Sequence, residues 1–270
     1  MSTTAAAQFV GDIPTHYDAK LGPILFADYA ADLARRAAAL KPAAVLEVAC
    51  GTGISTVALA NTLPSNTSIT ATDLNPPMLE IARSKLHGAA NIEFAQADAM
   101  KLPFADASFD LIVIQFGVMF FPDKPAAFTD AKRVLRPGGT LLFNAWGKMA
   151  ANPFSEVAHA NGQKFLPANP PKFYLTPFGY ADEKIARADL AKGGFGEVHS
   201  EVVRFNKDVS DFQRFAEGAI YGNPMLGDLI AGGVDPAAVV ASITADLRAR
   251  FGHEPAKMPL EATVYQARAR

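Results

Sequence analysis

The stretch "VLEVACGTGISTVALA", Val45–Ala60, passes from aliphatic and β-branched residues through two glycines into helix-forming residues. A short apolar run, a glycine turn and helix formers in that order predict strand, turn and helix, the opening of a βαβ unit. Such a turn holds a dinucleotide, a nucleoside triphosphate or a ligand without phosphate. The dinucleotide fingerprint requires a third glycine, and Thr56 occupies its place. The triphosphate loop requires a lysine just after the turn, and none follows. Glu47 ends the strand before Gly51 and Gly53; a carboxylate there repels a pyrophosphate and suits an ammonium or a sulfonium.

Working outward, "GPILFADYAADLARRAAAL" (Gly22–Leu40) precedes the strand as an amphipathic helix, with Leu25, Tyr29 and Leu33 recurring every fourth residue. After it come a helix over Gly53–Leu63, a strand "SITATD" and a helix "NPPMLEIARSKLHG" in which Asn75 is placed to cap. "NIEFAQAD" and "FDLIVIQF" read as strands three and four. "KPAAFTDAKRVL" is a helix, "RPGG" (Arg136–Gly139) a tight turn and "TLLFNAW" strand five. Strands alternating with helices predict an α/β fold with a mostly parallel sheet, and continuous apolar runs such as "LIVI" predict strands covered on both faces. From Lys148 to Ala186 the period is lost. A helix "IARADLAKGGF", a strand "EVHSEVVRF", helices over Ser210–Ile220 and Pro236–Phe251 and a last strand "LEATVYQARA" complete the pattern.

Asp73 stands twenty residues beyond Gly53 at the end of the second strand, where an acidic side chain accepts hydrogen bonds from ribose hydroxyls. Asp98, after the third strand, is placed to accept from an exocyclic adenine amine. A ribose acceptor, an adenine acceptor and a glycine turn without phosphate machinery point to S-adenosylmethionine.

Four segments, "VLEVACGTG", "TATDLNPPMLEIAR", "AQADAMKLPFADASFDLIVIQFGVMFFPD" and "RVLRPGGTLLFNAW", resemble successive motifs of class I S-adenosylmethionine-dependent methyltransferases. The similarity is to the ubiquinone/menaquinone-biosynthesis-type branch acting on small molecules, and it covers Lys41–Gly147. It implies a Rossmann-like, seven-stranded, mostly parallel sheet with helices on both faces, the last strand antiparallel, and an inserted lid region. It places Ala49, Gly51 and Gly53 against the methionyl part of the cofactor and Asp73 on the ribose. Leu74 and Met78 then line the adenine, Asp98 and Ala99 bond its edge, and Gln115 and Phe116 lie beside the sulfonium. Tyr17, in an N-terminal "HYD", is expected to reach the cofactor carboxylate. Ala49 departs from the family pattern, which has glycine there.

The implied function is transfer of a methyl group to a small molecule, with S-adenosyl-L-homocysteine as product; a protein or RNA methyltransferase and a non-catalytic S-adenosylmethionine-binding protein are the alternatives. A formal charge of −2 offers no basic field for nucleic acid. "NPP" at Asn75–Pro77 follows the second strand, so it reads as a helix start rather than the acceptor motif that amino-methylating enzymes carry after the fourth. Cys50 is the only cysteine, and the five histidines (His16, His87, His159, His199, His253) lack metal spacing, so no metal is expected. No catalytic base stands out. The polar N-terminus lacks a signal-peptide pattern, and no apolar run reaches the about eighteen residues of a membrane span, so a cytoplasmic monomer or homodimer without membrane contact is expected.

The expected organisation is an N-terminal lid and helix (1–40), the cofactor-binding core (41–147), an inserted substrate lid (148–186) and a C-terminal completion of the sheet (187–270). Trp146, Phe154, Phe165, Phe173, Tyr174, Phe178 and Tyr180 gather at and after the fifth strand. With Trp146, Phe173 and Tyr174 as candidate substrate residues, this clustering predicts an apolar or aromatic acceptor.

Overall fold

The computed structural model describes residues 8–269; the extreme start of the chain, read above as polar, lies outside them. Seven strands form one sheet: β1 (Ala44–Val48), β2 (Ser68–Asp73), β3 (Ile92–Gln96), β4 (Phe109–Gln115), β5 (Leu135–Trp146), β6 (Glu197–Val209) and β7 (Ala256–Arg268). Their order is β3-β2-β1-β4-β5-β7-β6. The first five are parallel, and β7 runs antiparallel to both β5 and β6. This is the doubly wound arrangement the alternating pattern predicts, with the last strand reversed.

Side-chain alternation sends Val45, Leu111, Val113 and Leu142 to one face, under α2 (Ala27–Ala39) and α3 (Ile54–Thr62). Leu46, Ile112, Ile114 and Phe143 go to the other, under α5 (Lys124–Val134) and α7 (Glu183–Lys192), which contribute Phe128 and Leu190. Both faces are thereby covered, which accounts for the unbroken apolar strands. α4 (Pro76–Lys85) packs Leu79 and Ala82 on Ala71. Gly53 adopts φ +81°, and a Cβ there would meet the Ala82 Cβ at 2.9 Å, so the turn lies tight against α4. Leu25, Tyr29 and Leu33 are all buried as their spacing predicts.

Several local expectations are corrected. Helical backbone begins at α1 (Ile13–His16), continues through a π-helical stretch Tyr17–Phe26 and runs into α2. Pro23 is accommodated because the wider π turn frees the hydrogen bond that proline cannot make. Asn75 occupies the N-cap of α4, but its side chain caps nothing and turns back to Asp73. Arg136–Gly139 is not a turn between elements but an excursion within β5: Phe109 pairs with Leu135, yet Leu111 pairs with Thr140. Two helices within the less regular sequence were not expected, α6 (Pro153–Phe165) and α9 (Met225–Ala231), beside α8 (Phe212–Tyr221) and α10 (Pro236–Phe251).

Candidate active site

The carboxyl ends of β1, β2 and β4 carry the predicted residues to one place, as open α/β sheets do at the reversal of strand order. A cavity opens there. Its walls include Tyr17, Ala49, Gly51, Asp73, Leu74, Met78, Asp98, Ala99, Gln115 and Phe116, and also Trp146, Phe173 and Tyr174. The structure thus brings the expected cofactor residues and substrate residues to a single space. Glu47 and Gly53 are not in its wall: Gly53 faces α4, and Glu47 lies beneath the turn with Oε1 accepting from the Ser55 hydroxyl. Phe9, Phe26, Phe120, Phe154 and Phe215 also line it and were not placed there by the motifs. Only their aromatic character marked them, and that signal is shared with ordinary core.

Asp73 is almost wholly buried. Its Oδ2 accepts from the Gly51 amide at 2.9 Å and its Oδ1 from the Asn75 amide at 2.8 Å. Burial raises its pKa, and these hydrogen bonds oppose the rise. Oδ1 also accepts from the Asn75 side-chain amide at 3.3 Å, whereas Oδ2 keeps acceptor capacity beyond its one bond. Asp98 accepts from the Met100 amide at 2.9 Å through Oδ1, which fixes the carboxylate in its loop. Tyr17 stacks on Phe26, centroids 4.9 Å apart. Burial, then the charges of Asp73 and Asp18, push its phenol far up, so it stays a donor. The Cys50 thiol beside the turn is buried and likewise pushed up, which makes it a filler rather than a nucleophile.

The remainder of the cavity is aromatic. Phe116 and Trp146 stack with centroids 4.1 Å apart and an interplanar angle of 16°, and Phe178 also stacks on Trp146, at 5.8 Å. Phe173 meets Phe9 and Phe120 at 6.4 and 6.3 Å, closing the N-terminal segment over the insertion. Among the described residues no lysine, arginine or histidine is in the wall, so a phosphate would find none of their side-chain cations there. His16 packs on Tyr221 and His159 lies on α6, both outside the wall. Among the described residues no group of three or more His, Cys, Asp or Glu could hold a metal, and no helix is long and apolar enough to cross a membrane.

The model of the ubiE/COQ5 methyltransferase family matches residues 25–170, more than half of the chain, and the chain belongs to that family. The demethylmenaquinone methyltransferase of Staphylococcus aureus (strain MRSA252) is 40% identical over 97 residues, 36% of this chain and 40% of the relative. The ubiquinone/menaquinone biosynthesis C-methyltransferase UbiE of Marinomonas sp. (strain MWYL1) is 38% identical over 127 residues, 46% of this chain and 51% of the relative. These matches span about half or less of the curated relatives' length. A solved structure of Haemonchus contortus phosphoethanolamine N-methyltransferase 2 in complex with S-adenosyl-L-methionine shares the fold, with a TM-score of 0.59 at 15% identity, covering 94% of this chain and 56% of that one.

Proposed function

We propose that the protein binds S-adenosylmethionine and transfers its methyl group to a small apolar or aromatic molecule by in-line displacement. The observation that carries this reading is one cavity whose wall holds both the Asp73 and Asp98 carboxylates and stacked aromatic rings. The wall suits this cofactor because it presents buried acceptor oxygens for a nucleoside and no side-chain cation for a phosphate. When bound, the cofactor supplies an electrophilic methyl carbon on a sulfonium, whose departing thioether is neutral.

The chain's own work is then binding, orientation and exclusion of water. Asp73 accepts the ribose hydroxyls, Asp98 the adenine amine, and Leu74 and Met78 flank the base. The backbone about Ala49 and Gly51 and the phenol of Tyr17 hold the amino-acid end, and Phe116 lies where the two halves meet. Residues 148–186 cover the acceptor half through Phe173, Tyr174 and Phe178. The family's curated members named above methylate quinone precursors by their names, which agrees with an aromatic acceptor.

Calorimetric titration with S-adenosylmethionine, S-adenosylhomocysteine and NAD tests this. The two sulfur nucleosides should bind and NAD should not; Asp73→Ala should lower their affinity about 100-fold, the worth of two hydrogen bonds to a charged acceptor. Binding of NAD alone, or of none of the three, overturns the reading.

A further inference from the structure

Gln115 ends β4 within the cavity wall, and its side chain is only half used. The amide nitrogen donates to the Phe26 carbonyl at 3.1 Å. A carbonyl only accepts, so this bond fixes which end of the amide is nitrogen. Oε1 is therefore the free end; it is buried and has no hydrogen-bond partner. Among the described residues it is the only buried side-chain atom lacking a partner that belongs to the cavity wall.

Two other polar side chains of the wall, Tyr174 and Asn223, are already engaged. The Tyr174 hydroxyl donates to the Ala219 carbonyl at 3.3 Å. The Asn223 amide nitrogen also donates to Ala219, and its oxygen accepts from the Met225 amide at 2.9 Å. Phe116, next in the chain, stacks on Trp146, and Gln115 shares the cavity wall with both rings. A buried carbonyl left without a donor is unfavourable, and burial makes it selective for a ligand that brings one. An amide does not take up a proton, so Oε1 accepts a hydrogen bond and is no general base, and the apolar rings around the cavity favour a neutral N–H or O–H over a charged one.

Resting on the methyltransferase reading above, we infer that Gln115 is a specificity-determining residue for the methyl acceptor. Its Oε1 receives a neutral N–H or O–H borne on an aromatic or otherwise apolar acceptor. Molecules of the same shape without a donor are discriminated against, because they leave Oε1 unpaired. This assigns Gln115 to the acceptor rather than to the cofactor side.

The test uses the full-length protein saturated with S-adenosylhomocysteine and two probes, 2-naphthol and its donor-free counterpart 2-methoxynaphthalene, in calorimetric titration. The wild type should bind 2-naphthol about tenfold more tightly than the ether, one hydrogen bond's worth of preference. Gln115→Met, similar in length but without the acceptor, should reduce the preference to less than about twofold while binding S-adenosylhomocysteine as the wild type does. Failure of the wild type to bind S-adenosylhomocysteine would remove the underlying reading itself. With that binding intact, three results overturn the inference: neither probe binds, the preference survives in Gln115→Met, or the variant loses nucleoside affinity instead. Asn144 is the register partner of Gln115 and has an unpartnered Nδ2. Were that group to serve Oε1, the variant would lose thermal stability and keep its probe preference, which also overturns it.

Discussion

Ala49 and Gly117 are back to back at the ends of β1 and β4: a Cβ on Gly117 would come within 2.6 Å of the Ala49 Cβ. Ala49 itself adopts φ +57°, in the left-handed region that a side chain disfavours by about 1 kcal/mol. The alanine that replaces the family's glycine is thus tolerated partly because position 117 has no side chain. Ala49→Gly should stabilise the protein by about 1 kcal/mol. Gly117→Ala should destabilise it by about 1–3 kcal/mol through overpacking. Combining them should recover part of the loss, leaving a coupling of about 1 kcal/mol in a urea-denaturation cycle. The contact with Ile114 remains in the double variant, so recovery should be incomplete. Strict additivity would show that the two positions do not compete for space.

Glu47 gives the protein a distinctive response to pH. Burial raises its carboxyl to about 7, with Asp73 adding to the rise and the hydrogen bond from the Ser55 hydroxyl opposing it. Unfolded, it titrates at about 4.3. Between those values the native state holds a proton that the unfolded state releases, so stability falls as pH rises through this window and levels off above about 7. Glu47→Gln keeps an oxygen for Ser55 and removes the titration. The variant should therefore gain on the wild type by up to roughly 3 kcal/mol between pH 5 and 7.5, with little difference near pH 4. Melting curves over that range decide it; parallel pH profiles for the two proteins would mean that Glu47 is ionised in the folded state throughout.

The parts of the molecule that were legible are those where one physical signal dominates. Val45–Ala60 combines a buried strand with glycines that leave few readings, and Asp73 follows from its position after "SITAT". The apolar spacing places the N-terminal helix over Gly22–Leu40, whereas a π-helical stretch carries helical backbone back through Pro23 to Tyr17. α6 has a helical burial period, Phe154, Val157, Ala158, Asn161 and Gly162, but asparagine and glycine at buried positions hide it from a hydrophobicity pattern. The pattern "LEATVYQARA" starts the last strand at Leu260, whereas β7 begins at Ala256. Pro259 lies where β7 has only β6 as a partner, since the pairing with β5 begins at Ala262. The aromatic wall was the least legible part of the site. Phe9, Phe26 and Phe215 come from elements far apart in the chain, and no local spacing links them.

The N-terminal segment is fastened across the site by side chains that also suggest how it is released. One carboxylate oxygen of Asp18 accepts from the Thr52 hydroxyl at 2.6 Å and pairs with the Lys85 ammonium, tying the π-helical stretch to the glycine turn and to α4. On the other flank Lys20 pairs with Glu217 at 2.5 Å, and Arg214 donates to the Ala19 carbonyl at 3.1 Å. Tyr17 and Phe26, on the same stretch, form part of the cavity wall, so movement of this segment is expected to govern how fast a ligand exchanges. Asp18→Ala removes one flank and leaves the cavity wall intact. An ion pair that is about one quarter exposed contributes about 1 kcal/mol, so the variant should bind and release S-adenosylhomocysteine about fivefold faster, with little change in Kd. Raising salt should speed exchange in the wild type and less so in the variant, because Lys85 then has no partner there to screen. Trp146 is the only tryptophan and lines the cavity, so stopped-flow fluorescence reports both rates directly. A higher Kd with unchanged association would instead make Asp18 part of the binding surface, and equal rates in both proteins would mean that the segment opens elsewhere.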